Sequence, residues 1–174
     1  MIEIGSRRPA PQGAVDLLLD CHTRIRTFSR LASRIAEARG VAEEEIADSA
    51  ARVRRYFSVA LPLHVADEEE SILPRLVGRD PALDAALARM EAEHDGHDED
   101  VGRLIALCGA LADAPASLSD LREDLGGVAA RLVRAFDEHL RAEEEAVFPA
   151  LRRLLPPAER EAIFAEIRAR RRSP

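Results

Sequence analysis

Lysine, asparagine and tryptophan are absent from these 174 residues, and aromatic side chains make up only 3% of them. All 25 basic residues are therefore arginines, a bias that points to GC-rich coding and, through it, to a bacterial source. A basic surplus is also missing: the net charge of −7 argues against nucleic acid, which calls for a basic surface. No apolar stretch approaches the ~20 residues of a membrane span, and the N-terminus lacks the apolar core of a signal peptide, so no membrane partner is expected. Two cysteines, Cys21 and Cys108, cannot build a disulfide framework, which makes a reducing cytoplasm the expected location. The arginines that close the chain, Arg168 and Arg170 to Arg172, read as the cationic last turn of a helix and a frayed tail.

What is present is the alphabet of long packed helices, 47% apolar and 33% charged and dominated by alanine, leucine, arginine and glutamate. Residues 1–13, with two prolines and two glycines, read as an irregular arm. Apolar residues at helical spacing, from Leu17 and Leu18 through Ile25 and Phe28 to Ile35, predict a first helix over about 14–39 that Gly40 stops. A second runs from about 43 to 77, with Pro62 and Pro74 each kinking it or opening a turn of its backbone. A third spans about 81–112 behind Pro81 at its first position, and a fourth about 120–155, with Gly126-Gly127 as a weak point. A short fifth helix follows Pro156-Pro157 to about residue 170. Nothing reads as a strand. Long helices joined by short loops predict one all-α domain. Its core is an antiparallel up-down-up-down four-helix bundle over 14–155, with a C-terminal helix and basic tail over 156–174.

One segment occurs twice. His64-Val-Ala-Asp-Glu-Glu-Glu-Ser-Ile-Leu-Pro-Arg-Leu76 returns, 75 residues later (139 − 64), as His139-Leu-Arg-Ala-Glu-Glu-Glu-Ala-Val-Phe-Pro-Ala-Leu151. Each copy sets a glutamate four residues after a histidine, one turn along the same helix face. A lone pair of this kind is usually only a favourable surface contact, but each remaining long helix also carries histidine: His22 on the first, His94 and His97 on the third. At 1.5 Å per residue, His22 lies ~26 Å before the end of its helix and His64 ~32 Å after the start of the next. The second half repeats the match, so His22, His64, His94 and His139 are predicted to meet in one layer.

With Glu68 and Glu143 that layer offers four imidazoles and two carboxylates. This is too many for a structural zinc, which takes four ligands and favours cysteine, and it suits two iron or manganese ions bridged by the glutamates. His97 is a candidate further ligand, hydrogen-bond donor to the site or solvated side chain. Tyr56, two turns before His64, is a candidate donor to a bound oxygen species. Glu69 and Glu144 are offered as outer hydrogen-bond partners of the histidines, whereas the acidic run 91–100 reads as a solvated face. Glu91 and His94 have the ferritin-like Glu-x-x-His spacing, but that fold requires two such pairs. Ile25, Phe28, Ile72, Leu104, Phe136, Val147 and Phe148 are expected in the core.

A histidine, then His-x-x-x-Glu, then a histidine, then His-x-x-x-Glu, one unit per helix, resembles the hemerythrin-like (HHE cation-binding) family over about residues 15–155. The resemblance implies a non-haem diiron centre held by His22, His64, His94 and His139 and bridged by Glu68 and Glu143, with manganese or zinc as possible substitutes. It also implies chemistry with dioxygen, nitric oxide or peroxide. The oxygen carriers of that family have a further histidine four residues after the one on the third helix, and an aspartate five residues after the last histidine. Here the extra histidine is at +3 and the last carboxylate is Glu143 at +4, departures that weigh against strict oxygen carriage and leave the diiron bundle in place. Three functions stay open: small-molecule binding for sensing, storage or redox response; peroxide consumption or nitric-oxide reduction; and a metal-stabilised interaction bundle with a protein partner.

Overall fold

The computed structural model describes residues 11–172, which contain helices and no strand. The reading of 1–13 as an irregular arm falls mostly outside the described residues. Five helices follow one another: α1 (Ala14–Glu37), α2 (43–76), α3 (Pro81–Asp113), α4 (118–154) and α5 (Pro157–Arg170), with a short 3₁₀ turn, Pro115–Ser117, before α4. Helix α1 packs on α2 and α4, α2 on α3, and α3 on α4, so the four long helices close a ring. The turns are written locally. Gly40 (φ +65°) and Gly78 (φ +79°) adopt the left-handed conformation open to glycine, and Asp80 caps α3 by accepting from the Ala82 N–H at 3.0 Å. Gly126-Gly127 does not weaken α4. The helix runs through it, and a Cβ at Gly126 would meet that of Ala36 on α1 at 3.6 Å, an ordinary contact.

Prolines shape α2 and α4 in a regular way. Each contains π-helical turns, Tyr56–Ala60 and Asp67–Ile72 in α2 and Glu143–Val147 in α4. Each turn ends two residues before a proline: Pro62, Pro74 and Pro149. Proline has no N–H for the carbonyl four residues back and its ring crowds that carbonyl, which here belongs to Ser58, Glu70 or Glu145, inside the π turn. The register widens instead of breaking. Leu73 N–H reaches the Glu68 carbonyl and Phe148 N–H the Glu143 carbonyl, each five residues back. Both copies of the repeated segment thus open the backbone at the same glutamate.

The apolar interior is split in two. One cluster gathers Ile25, Leu61, Leu104, Phe136 and Leu140; the other gathers Leu18, Ile72, Leu87, Met90 and Val147. Along every long helix a histidine lies at the change from one cluster to the other: Leu18, His22, Ile25 on α1; Leu61, His64, Ile72 on α2; Met90, His94, Leu104 on α3; and Phe136, His139, Val147 on α4, where Leu140 of the first cluster adjoins His139. The histidine layer is a polar slab between two apolar blocks.

Helix α5 closes the second block through Ile163 and Ile167. Its end is not a frayed tail. Arg170 Nη1 and Arg171 Nη2 each lie 2.5 Å from an oxygen of the fully buried Asp67, and Arg170 also donates to Glu70 at 2.8 Å. The repeated segment has Ala142 where the first copy has Asp67, so only the first copy is tied to α5. Asp67→Ala should cost about 1–3 kcal/mol, the usual effect of leaving charged partners unpaired, read as a lower urea midpoint. An unchanged midpoint would show that α5 is held without this pairing, by its apolar face and the pairs of Glu159 with Arg79 and Glu166 with Arg75.

Candidate metal centre

Six side chains meet in the slab. His22, His64, Glu68, His139 and Glu143 are at most 3% exposed and His94 is 9% exposed. The inward ring nitrogens converge on the carboxylates: His22 Nε2 is 3.1 Å and His139 Nε2 2.9 Å from Glu143, while His64 Nε2 is 3.4 Å and His94 Nε2 3.3 Å from Glu68. The rings pair edge-on, His22 with His64 at 5.1 Å between centroids and His94 with His139 at 4.9 Å. Two groups result, His22–His64–Glu68–Glu143 and Glu68–His94–His139–Glu143, each with one donor atom per residue and all within 4.8 Å of one another. Both glutamates belong to both groups. The inward atoms of His22, His64, His94, Glu68 and Glu143 make no geometrically sound hydrogen bond among the described residues. Buried polar atoms left this way are costly unless something fills the space they face. Nitrogen and carboxylate donors with no sulfur fit iron, manganese or zinc.

The outer faces are satisfied. His22 Nδ1 donates to Glu144 at 2.8 Å, His94 Nδ1 to Glu69 at 2.9 Å and His139 Nδ1 to Glu93 at 2.8 Å. A carboxylate on one nitrogen fixes the tautomer and aims the other inward. Glu144 is itself held by Arg26 at 2.8 Å and Glu93 by Arg89 at 2.8 Å. Glu69 and Glu144 are the two partners offered by the sequence reading. Glu93 was missed, because it lies in the acidic run taken as a solvated face and serves a histidine on another helix. Among the described residues, His64 has no such partner for its Nδ1.

His97 stands apart from both groups. Its ring meets Phe136 at 5.0 Å and His139 at 5.4 Å edge-on, and it lines a cavity of about 30 Å³ with His64, His94, His139 and the apolar Ile25, Leu61, Val65 and Phe136. Tyr56 is not at the cavity. It stacks on Phe28 at 4.3 Å and donates to the carbonyl of Cys21 at 3.4 Å, one residue before His22. On the other side of the slab, a cleft of about 280 Å³ between α3 and α4 reaches His139 and Glu143. A groove of about 320 Å³ between the start of α1 and α5 holds none of these side chains.

The sequence comparisons agree with this geometry. The hemerythrin HHE cation-binding domain model matches residues 13–112, more than half of the chain. The chain belongs to that family. The matched span holds His22, His64, Glu68 and His94 and stops short of His139 and Glu143, which lie in the second copy of the repeat. An uncharacterized protein of Haemophilus influenzae is 26% identical over 134 residues, covering 75% of this chain and 74% of that one. No described helix is long and apolar enough to cross a membrane.

Without metal, the slab must balance itself with protons. Burial disfavours the imidazolium of His22, but the close negative charges of Glu143 and Glu68 outweigh it and lift its pKa to about 9. His94 is lifted to about 9 in the same way, against its burial, by Glu68 and Glu69. Burial wins at His64, whose pKa is pushed down. At Glu68 burial raises the pKa, but His64, His22 and His94 together hold it well below the carboxylate range. The sign of the pH dependence follows. His22 and His94 have folded values above the 6.5 of the free side chain, so their contribution is complete below that pH and lost as pH climbs toward about 9. Glu68 acts oppositely: its contribution is present above its ordinary 4.5 and lost in acid.

The metal-free chain should therefore melt at progressively lower temperature from pH 6.5 to 9. The stabilisation added by a divalent metal, which takes neutral imidazoles, should grow over the same range. A flat metal-free Tm would refute the protonated pairing. Glu144→Ala, which frees the outer nitrogen of His22, should weaken metal binding about 10–100-fold in competition with a chelator. Equal affinity would mean that packing against Phe148, 5.1 Å from the His22 ring, orients it unaided.

Proposed function

We propose that this chain is a non-haem diiron protein that binds dioxygen or a related small molecule, nitric oxide or peroxide, for sensing, storage or redox response. The observation that carries this reading is the sharing of Glu68 and Glu143 by two groups that each contribute two histidines. One iron would be held by His22 and His64, the other by His94 and His139, with both glutamates between them. Six protein donors, two of them shared, fall short of two filled coordination spheres, and bound iron would supply reversible redox chemistry with dioxygen or its relatives.

The remaining roles belong to the chain. The two apolar blocks exclude water, and the outer carboxylates hold the rings. The cavity beside His64, His94 and His139 has room for about one or two water-sized molecules, which suits a diatomic or peroxide. The finer architecture in this proposal is an antiparallel up-down-up-down bundle. Its support is the order of the blocks: α1 and α3 pass from the second apolar cluster to the first, and α2 and α4 pass back.

A second reading, an enzyme that consumes peroxide or reduces nitric oxide, is favoured by one observation. His97 is half-buried and borders the cavity without belonging to either group, where its ring nitrogen could hand a proton to a small molecule. Tyr56, engaged by the Cys21 carbonyl, is not suited to that task.

Iron per chain on anaerobically reduced protein, then the absorption spectrum on adding oxygen and peroxide, tests the proposal. Two irons with a stable and reversible spectral change support binding. Rapid peroxide loss supports the enzyme, and the absence of iron refutes both. His64→Ala and Glu143→Ala should each lower iron content below two per chain, and retention of both irons in either variant would refute the ligand set.

A further inference from the structure

A centre enclosed between two apolar blocks needs a way in for its metal. Two voids touch the slab, and they differ in character. The 30 Å³ cavity is small and is walled by apolar side chains, histidine rings and one carboxylate, Asp98. The 280 Å³ cleft between α3 and α4 is wider and carries charge: Arg89 and Glu145 at an exposed rim, Glu93 below them, and His139 and Glu143 within. Its apolar lining includes Ala86, Met90, Ala142 and Val147. Three carboxylates face one guanidinium, and that guanidinium is already tied to Glu93 through its Nε. Acidic lining alone would mean little. Glu143, however, is 1% exposed, and both its oxygens lack a hydrogen-bond partner among the described residues. A buried carboxylate that faces the ring nitrogens of His22 and His139 without a sound hydrogen bond, at the inner end of an acid-lined cleft, is a destination for a cation.

We propose that the α3–α4 cleft is the route by which a divalent cation reaches the centre, with Glu145 drawing it to the rim and Glu143 receiving it. The inference rests on the metal-binding reading of the slab and adds to it a direction of loading. The cation would shed water against Glu145 and Glu93, pass between the small side chains of Ala86 and Ala142, and meet Glu143 and His139 before any other member of the centre. Small residues on both walls keep the passage open. A negative rim raises the local cation concentration and the rate of encounter, an effect that salt screens.

The test is the rate of cobalt(II) uptake by the full-length metal-free chain, followed by the visible absorption of the bound ion in a stopped-flow mixer. The endpoint is read as cobalt per chain. Ala86→Phe, which fills the cleft, should slow uptake at least about tenfold while the endpoint stays at the wild-type value. Glu145→Lys lies on the exposed rim and leaves packing intact. It should slow uptake about tenfold at low ionic strength, with the difference fading as salt is added. Wild-type rates in both variants would overturn the route while leaving the metal centre standing. A slowed Ala86→Phe beside a Glu145→Lys of unchanged rate would overturn the role of Glu145. A wild-type chain that takes up no cobalt would overturn the route and the metal-binding reading together.

Discussion

Two glutamates and four histidines buried between two apolar blocks are the constraint on which the rest of this protein depends. Isolated carboxylates cost several kcal/mol each to remove from water, and Glu68 and Glu143 are each about 1% exposed. Protons shared with His22 and His94 offset part of that cost in the metal-free chain. They leave most of the inward donor atoms without sound hydrogen bonds, an arrangement that a pair of cations would satisfy better than protons do. The halves of the apolar core meet across this slab, so the packing of all four long helices is tied to how its charge is balanced.

The backbone around the slab is adapted in the same two places. Pro74 and Pro149, at equivalent positions of the repeat, widen the helix so that the carbonyls of Glu68 and Glu143 accept from residues five along. The copies diverge one residue earlier, at Asp67 and Ala142. Asp67 takes Arg170 and Arg171 from α5, and Arg171 also lies 3.2 Å from the Cys21 sulfur, next to His22. The fifth helix is thereby latched to residues adjoining two members of the centre on one side only. The duplicated element is asymmetric toward α5 at Asp67 and again at Arg75, which pairs with Glu166 where the second copy has Ala150.

Asymmetry continues in the outer contacts and in the voids. Three histidines have a carboxylate on Nδ1 and His64 has none, which leaves His64 the least constrained of the four, beside the small cavity. The cavity on that side is small and mostly apolar; the cleft on the other side is larger and acidic.

Much of this was legible in the chain itself. Helix number, the stop at Gly40, and the meeting of four histidines in one layer follow from apolar periodicity, turn-forming glycine and a fixed rise per residue, which are local properties. The repeat marked Glu68 and Glu143 because a His-x-x-x-Glu pair shares one helix face whatever its neighbours do. Glu69 and Glu144 were within reach of the same logic. The rest depended on helices meeting. The pairing of His22 with His64, the service of Glu93 to a histidine on α4, the place of His97 at a cavity edge and the capture of Asp67 by α5 all require the rotation of each helix about its axis. So does the withdrawal of Tyr56 to the Cys21 carbonyl. That rotation is set by side-chain packing between helices and by the π turns at the prolines. Neither leaves a periodic signature in sequence, so only the tertiary structure decided them.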